Sequence, residues 1–237
     1  MAHGLWQYNM LKRPKGIIVA IDGPAGVGKS TIGKTVAARL NYSFISTGKM
    51  YRALAWKALS SGVDLENESG LIRLARSVKW ELKPSDTPEP QLCVDGRPLD
   101  REITDETVGK ASSAVSKFAE VRGFMRDMQR AIGADGGVVM EGRDIGTNVF
   151  PDAELKIYLD ASPEARAGRR VGQLRDQGLE SDRAAILDFI IRRDNQDSQR
   201  KNNPLKQAEG CHYIDSTSLD RNQVVMEILR LCAQVMV

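Results

Sequence analysis

Residues 23–30, Gly23-Pro24-Ala25-Gly26-Val27-Gly28-Lys29-Ser30, fit the spacing GxxxxGK[ST] without a mismatch, and Thr31 follows. Glycines at these positions let the backbone fold round an anion and turn its N–H groups toward phosphate oxygens. The lysine then reaches the outer phosphates, and the serine hydroxyl is a ligand for Mg²⁺. The chemistry implied is the binding of a nucleoside triphosphate. The loop by itself leaves a GTPase switch, a motor ATPase and a small-molecule kinase open. No NKxD segment is present to read guanine and no DxxG segment to act as a second switch, which disfavours a GTPase. A chain of 237 residues with no second large domain disfavours a motor.

The arginines narrow the choice. Phosphoryl transfer asks little covalent help of a protein; it asks that two phosphate groups of like charge be held in line and their charge compensated. Arg52, Arg143, Arg166, Arg169, Arg170, Arg193 and Arg200 all fall on or beside segments expected to face the phosphate loop. Arginine suits that task because it is permanently charged and binds phosphate oxygens in a bidentate way. Arg193, Asp197 and Arg200 lie at i, i+4 and i+7, one face of a helix, a spacing shared by exposed salt-bridge ladders. Glu141 closes a buried apolar run, a place from which an acid can face the metal.

These groups need elements to position them. Residues 16–22, GIIVAID, read as a buried parallel strand, and residues 30–40 as the helix after the glycine loop. Residues 43–46 read as a strand and 49–61 as a helix. Residues 71–78 read as a helix, 79–82 and 91–94 as strands, and Asp95-Gly96 as a hairpin turn, together a small α+β insert. One helix is expected over 115–131, strands over 138–140 and 155–159, and a helix start at Ser162-Pro163-Glu164. Two charged helices over 166–177 and 181–200, a strand over 212–215 and a C-terminal helix complete the chain. Alternation of strand and helix predicts an α/β fold, a doubly wound parallel sheet flanked by helices. The clusters 23–31, 46–52 and 141–147 each follow a strand and are expected to meet at one edge.

Composition bounds the rest. Net charge is +3 with 27% charged and 41% hydrophobic residues, an ordinary globular mixture whose mild basicity does not indicate nucleic acid. Aromatics are only 5% of the chain, which disfavours a single-strand-binding module. Three scattered cysteines and two histidines give neither a disulfide framework nor a zinc motif, so a metal would take oxygen ligands. No run is long enough to span a membrane. Residues 1–14 read as a flexible leader, and a cytoplasmic monomer without membrane or nucleic-acid partners is expected.

IDGPAGVGKST, STGKMYRALAWKAL, ASSAVSKFAEVR, EGRDIGTNVFPDAELKIYLDAS, RRDNQDSQR and IDSTSL together resemble the bacterial cytidylate kinases, of the nucleoside monophosphate kinase group, across residues 17–219. The resemblance implies a P-loop core (15–46, 119–165 and 201–237), an inserted monophosphate-binding lobe (47–118), and a helical lid with its flanking helix (166–200). It implies transfer from Mg-ATP to CMP or dCMP, with another small acceptor (UMP, AMP or shikimate) as the alternative. Thr47 and Arg52 would hold the acceptor, and Ser113, Arg122 and Asp144 would read its base. Arg143, Arg193 and Arg200 would contact phosphate, Asp197 the ribose hydroxyls, and Arg166, Arg169 and Arg170 the triphosphate nucleotide on closure. An ionised Asp144 accepts from the N4 amine of cytosine and repels the O4 carbonyl of uracil. Ser46 and Lys49 depart from the family pattern.

Overall fold

The structure, a computed structural model, describes residues 13–236. Most of the expected leader, residues 1–12, lies outside the described residues; Arg13 is ion-paired to Asp152 at 2.6 Å and also to Glu154.

The largely apolar run after Lys15 forms β1 (Ile18–Asp22), whose five residues are all buried. The glycine loop leads into α1 (Lys29–Leu40), then β2 (Ser43–Ser46) and α2 (Thr47–Ser60). The insert holds α3 (Glu68–Ser77), β3 (Trp80–Lys83), β4 (Gln91–Val94), β5 (Arg97–Pro98), a 3₁₀ turn at Arg101–Ile103 and α4 (Glu106–Val115). The chain returns through α5 (Ala119–Gly133), β6 (Val138–Gly142), a π-helical turn at Ile145–Val149 and β7 (Leu155–Asp160). It ends with α6 (Pro163–Asp176), α7 (Arg183–Gln199), β8 (His212–Asp215) and α8 (Arg221–Val235).

Five strands form one sheet in the order β2-β6-β1-β7-β8, and every pairing is parallel. β1 and β6 are buried at every position because both faces are covered there, whereas β7 alternates buried Leu155, Ile157 and Leu159 with half-buried Lys156, Tyr158 and Asp160. Val19 and Ile21 pack with Ile32 and Val36 of α1 and with Val224 and Ile228 of α8. Ile18, Ala20 and Met140 pack on the other side against Ile145, Val149 and Phe150. The insert shares a second core with the helices on either side of it, in which Met50 and Leu54 of α2, Leu71 of α3, Val108 of α4 and Met125 of α5 meet. Its hairpin turns at Asp95-Gly96 with φ of 51° and 79°, the left-handed pair a two-residue hairpin requires.

One expectation needs correction. The single helix read over 115–131 is two helices, α4 ending at Val115 and α5 beginning at Ala119. Asp105 starts α4 by accepting from Thr107 N–H at 2.7 Å. The Ser116 hydroxyl then donates to the Ser113 carbonyl, and Phe118 is extended (ψ 133°), which breaks the rod.

The loop joining β3 to β4 docks on the core. Pro88 O accepts from Phe44 N–H at 2.8 Å, and Glu89 pairs with Lys34 of α1 (2.7 Å) and Lys49 of α2 (2.9 Å). That contact accounts for the lysine at position 49.

Candidate active site

β1, β2 and β6 are neighbours, so the three segments that follow them converge at one edge, as the topology predicted. At that edge Gly23 has φ 150°, and a Cβ there would lie 2.0 Å from Leu159 O, so no other residue fits. Gly28 (φ 102°) precedes α1, whose N-terminal amides and dipole favour an anion. Lys29 is 4% exposed and donates to Gly23 O (2.8 Å) and Pro24 O (2.7 Å). Burial, reinforced by Arg143, pushes its ammonium down to about 7, while Glu141 and Asp22 act against that.

The loop is braced from outside by two of the three arginines read as lid residues. Arg166, 3% exposed, donates to Ala25 O (3.0 Å), Ala161 O (2.9 Å) and Asp194 Oδ2 (2.6 Å). Arg169 reaches Val27 O at 3.4 Å and Ser216 Oγ at 3.2 Å. Arg170 is exposed and bonds Gln173. A cavity of about 390 Å³ opens beside the loop between Pro24, Ser162, Arg166, Asp194, Tyr213 and Thr217. A second, of about 740 Å³, lies at the opposite ends of β2 and β6 and contains none of these groups.

Oxygen ligands gather behind Lys29. Glu141 Oε1 accepts from Ser30 Oγ at 2.9 Å and from Ser46 Oγ at 2.7 Å, while Thr47 Oγ1 donates to Glu141 O at 2.8 Å. Ser46 thus keeps a polar contact to the acid at the strand end. Asp22 accepts from Ile145 N–H and Gly146 N–H, both at 2.8 Å. Burial nevertheless pushes its carboxyl up to about 6, against those two hydrogen bonds. A hydroxyl and carboxylates of this kind fit Mg²⁺, which keeps waters and takes substrate phosphates. Among the described residues no group of three or more His, Cys, Asp or Glu could hold a metal.

Arg122 Nη2 donates to Asp144 Oδ2 at 2.6 Å, with the two residues 4% and 7% exposed. Asn148 Nδ2 donates to the same oxygen at 3.0 Å, and the Arg122 guanidinium lies 5.6 Å from the centre of the Tyr51 ring. Arg52 is held by main-chain carbonyls, Ile103 O at 2.8 Å and Asp105 O at 3.3 Å. Arg143 Nε donates to Asp197 Oδ2 at 2.7 Å, and Arg200 lies 3.8 Å from the same carboxylate. Arg200 sits just past the end of α7 and donates to Asn202 O at 2.8 Å. Burial and Arg143 hold Arg193 below its usual range. The Nε atoms of Arg122 and Arg193 are buried without a partner among the described residues. The Ser113 hydroxyl lies 3.5 Å from Gly109 O within α4, the helix capped by Ser116, whose carbonyl accepts from Arg122 Nη1 at 3.3 Å.

Sequence reading missed Asp22, Tyr51, Asn148, Asp194 and Ser216. Asp22 at a strand end and Asn148, four residues after Asp144, carried signals that could have been used. Asp194 and Ser216 gain importance only from distant arginines.

The parallel sheet and the glycine loop that leads from β1 into α1 define a P-loop α/β kinase fold. The family model described as cytidylate kinase matches residues 19–234. The chain belongs to the cytidylate kinase family. It is 47% identical over 216 residues to a cytidylate kinase of Geobacillus kaustophilus, covering 91% of this chain and 96% of that one. It is 44% identical over 217 residues to one of Streptomyces griseus, covering 91% and 92%. Among solved structures, a shikimate kinase from Bacteroides thetaiotaomicron aligns with 93% of this chain and 99% of its own at 16% identity, with a TM-score of 0.45.

Proposed function

We propose that the chain transfers the γ-phosphoryl group of Mg-ATP to CMP or dCMP, giving ADP and CDP or dCDP. An oxygen of the acceptor phosphate forms the new bond to γ-phosphorus as the bond to the β–γ bridging oxygen breaks. The acceptor is already an anion, so no general base is needed. Lys29, Arg143 and Arg193 would compensate the charge of the migrating group, and Arg52 with Thr47 would hold the acceptor phosphate. Asp197 and Arg200 would fix the sugar and phosphate, Arg122 and Asp144 the base. Ser113, on the helix whose capping Ser116 O accepts from Arg122 Nη1, would join them at the base. Mg²⁺, when bound, neutralises phosphate charge, and Ser30 would hold it beside Glu141.

The buried Arg122–Asp144 pair carries the reading: it sets a fixed acceptor opposite an arginine, which suits cytosine. The lobe over 47–118 and the lid over 166–200 would close on the two nucleotides and exclude water. No helix among the described residues is long and apolar enough to cross a membrane, and we take the enzyme to work as a cytoplasmic monomer. A coupled ADP assay across CMP, dCMP, UMP, AMP and shikimate tests the assignment, with kcat/KM expected to be highest for CMP or dCMP. A higher value for UMP or AMP would overturn it.

A further inference from the structure

Asp144 stands at the mouth of the π-helical turn, and the turn is pinned at both ends. Asp22 takes the N–H groups of Ile145 and Gly146, and Arg130 donates to Val149 O (2.8 Å) and Asn148 O (2.7 Å). The fourth residue of the turn, Asn148, is tied by its own N–H to Asp144 O at 2.9 Å. The Asn148 side chain therefore sits on a backbone that is fixed relative to Asp144.

What it does there follows from counting donors. Arg122 Nη2 and Asn148 Nδ2 both donate to Oδ2 of Asp144, at 2.6 Å and 3.0 Å. Oδ1 receives no donor from the described residues. The orientation of the Asn148 amide is set by chemistry, since only its NH₂ end can face a carboxylate oxygen. Two donors arriving at one oxygen from α5 and from the turn fix the rotation of the carboxylate in a way that one donor does not.

We infer that Asn148 is a specificity-determining positioning residue, which with Arg122 occupies Oδ2 so that Oδ1 of Asp144 is left to accept from the exocyclic amine of the acceptor base. This rests on the reading of Asp144 as the group that meets the base. A base with a carbonyl at that position meets an acceptor held in place, and Asp144 cannot rotate to avoid it. Discrimination between amine and carbonyl pyrimidines then depends on Asn148 as well as on Asp144.

The test compares wild type with Asn148→Ala, and with Asn148→Val should alanine destabilise the fold, measuring kcat and KM for CMP, UMP and ATP together with melting temperature. We expect KM for CMP to rise and the CMP-to-UMP ratio of kcat/KM to fall about tenfold, the factor for one hydrogen bond to a charged group. KM for ATP stays at the wild-type value. Asn148→His or Asn148→Gln, which keep a donor, restore part of the ratio. An unchanged ratio, or equal losses with CMP and UMP, overturns the inference. A wild type that prefers UMP overturns the reading of Asp144 beneath it, whereas a CMP-preferring wild type with an indifferent Asn148→Ala overturns the role of Asn148 alone.

Discussion

Arg143 Nε donates to Asp197 Oδ2 over 2.7 Å, joining the segment after β6 to a residue of α7 fifty-four positions further along the chain. Burial works against the charge on Asp197, but Arg143 beside it holds its carboxyl below the usual 3.8. The pair keeps an arginine aimed into the site while leaving part of its guanidinium free. Asp197→Ala leaves that arginine half-buried without its partner. We expect kcat/KM for the acceptor to fall about ten- to a hundredfold, since removing one member of a buried charged pair is costly. The folded-state value of Asp197 is depressed, so the stability it contributes is present above 3.8 and lost as pH falls below it. Melting curves of wild type and Asp197→Ala should converge on acidification; a constant gap would refute this.

Lys29 makes a prediction about protons. Its ammonium is pushed down from 10.5 to about 7 by burial and by Arg143. Phosphate groups arriving at the loop favour the charged form, so ATP binding at pH 8 should take up close to one proton. Calorimetry in buffers of different ionisation heat measures this directly, and zero uptake in wild type would contradict it. Lys29→Met should show no uptake and lose at least a hundredfold in kcat. In the absence of ligand the unfolded chain holds this proton more tightly than the folded one, so stability rises with pH between about 7 and 10.5.

Asp22 gives the opposite slope. Burial raises its carboxyl from 3.8 to about 6, so the folded chain keeps a proton that the unfolded chain has released. Stability from this group is full below 3.8 and is lost as pH rises through 6. The difference in unfolding free energy between Asp22→Asn and wild type should move in favour of the variant by up to about 3 kcal/mol between pH 4 and 7. Parallel pH profiles for the two proteins would show that Asp22 is ionised throughout.

Much of this arrangement was readable in the chain. The apolar runs at 16–22 and 138–140, the glycine loop and Asp95-Gly96 specify their own conformations locally, and each was recognised from nearby residues alone. The break between α4 and α5 was not, because nothing at 115–119 forbids a helix. It arises from a serine hydroxyl that donates to a backbone carbonyl and from Phe118 packing against the core shared by α2 to α5. The site divided in the same way. Lys29 and Ser30 are marked by spacing, whereas Asp194 acquires its place only through Arg166, twenty-eight residues away. Partnerships across that distance leave no periodic trace in sequence.

Gly109 sets the position of Arg52 from an adjacent helix. A Cβ at Gly109 would lie 3.0 Å from Arg52 Nη2 and 3.3 Å from Nη1. Gly109→Ala should displace the guanidinium by a few tenths of an ångström with little change in melting temperature, because the neighbour is a flexible side chain. We expect KM for the acceptor to rise about three- to tenfold with KM for ATP unchanged, given how steeply rate depends on placement. An equal rise in both constants would show that the effect is not confined to Arg52.

The docked loop between β3 and β4 also covers the border of the sheet. β2 is an outer strand, and its free N–H and C=O groups are a template on which a second chain could pair. Pro88 O takes the Phe44 N–H, and the segment that supplies it carries prolines at 84, 88 and 90. Proline has no N–H, so the segment closes the ladder where an ordinary strand would extend it. The pairing of Glu89 with Lys34 and Lys49 holds this cover in place. Shortening the loop would therefore expose a sticky sheet border, and aggregation during expression would be its first visible sign.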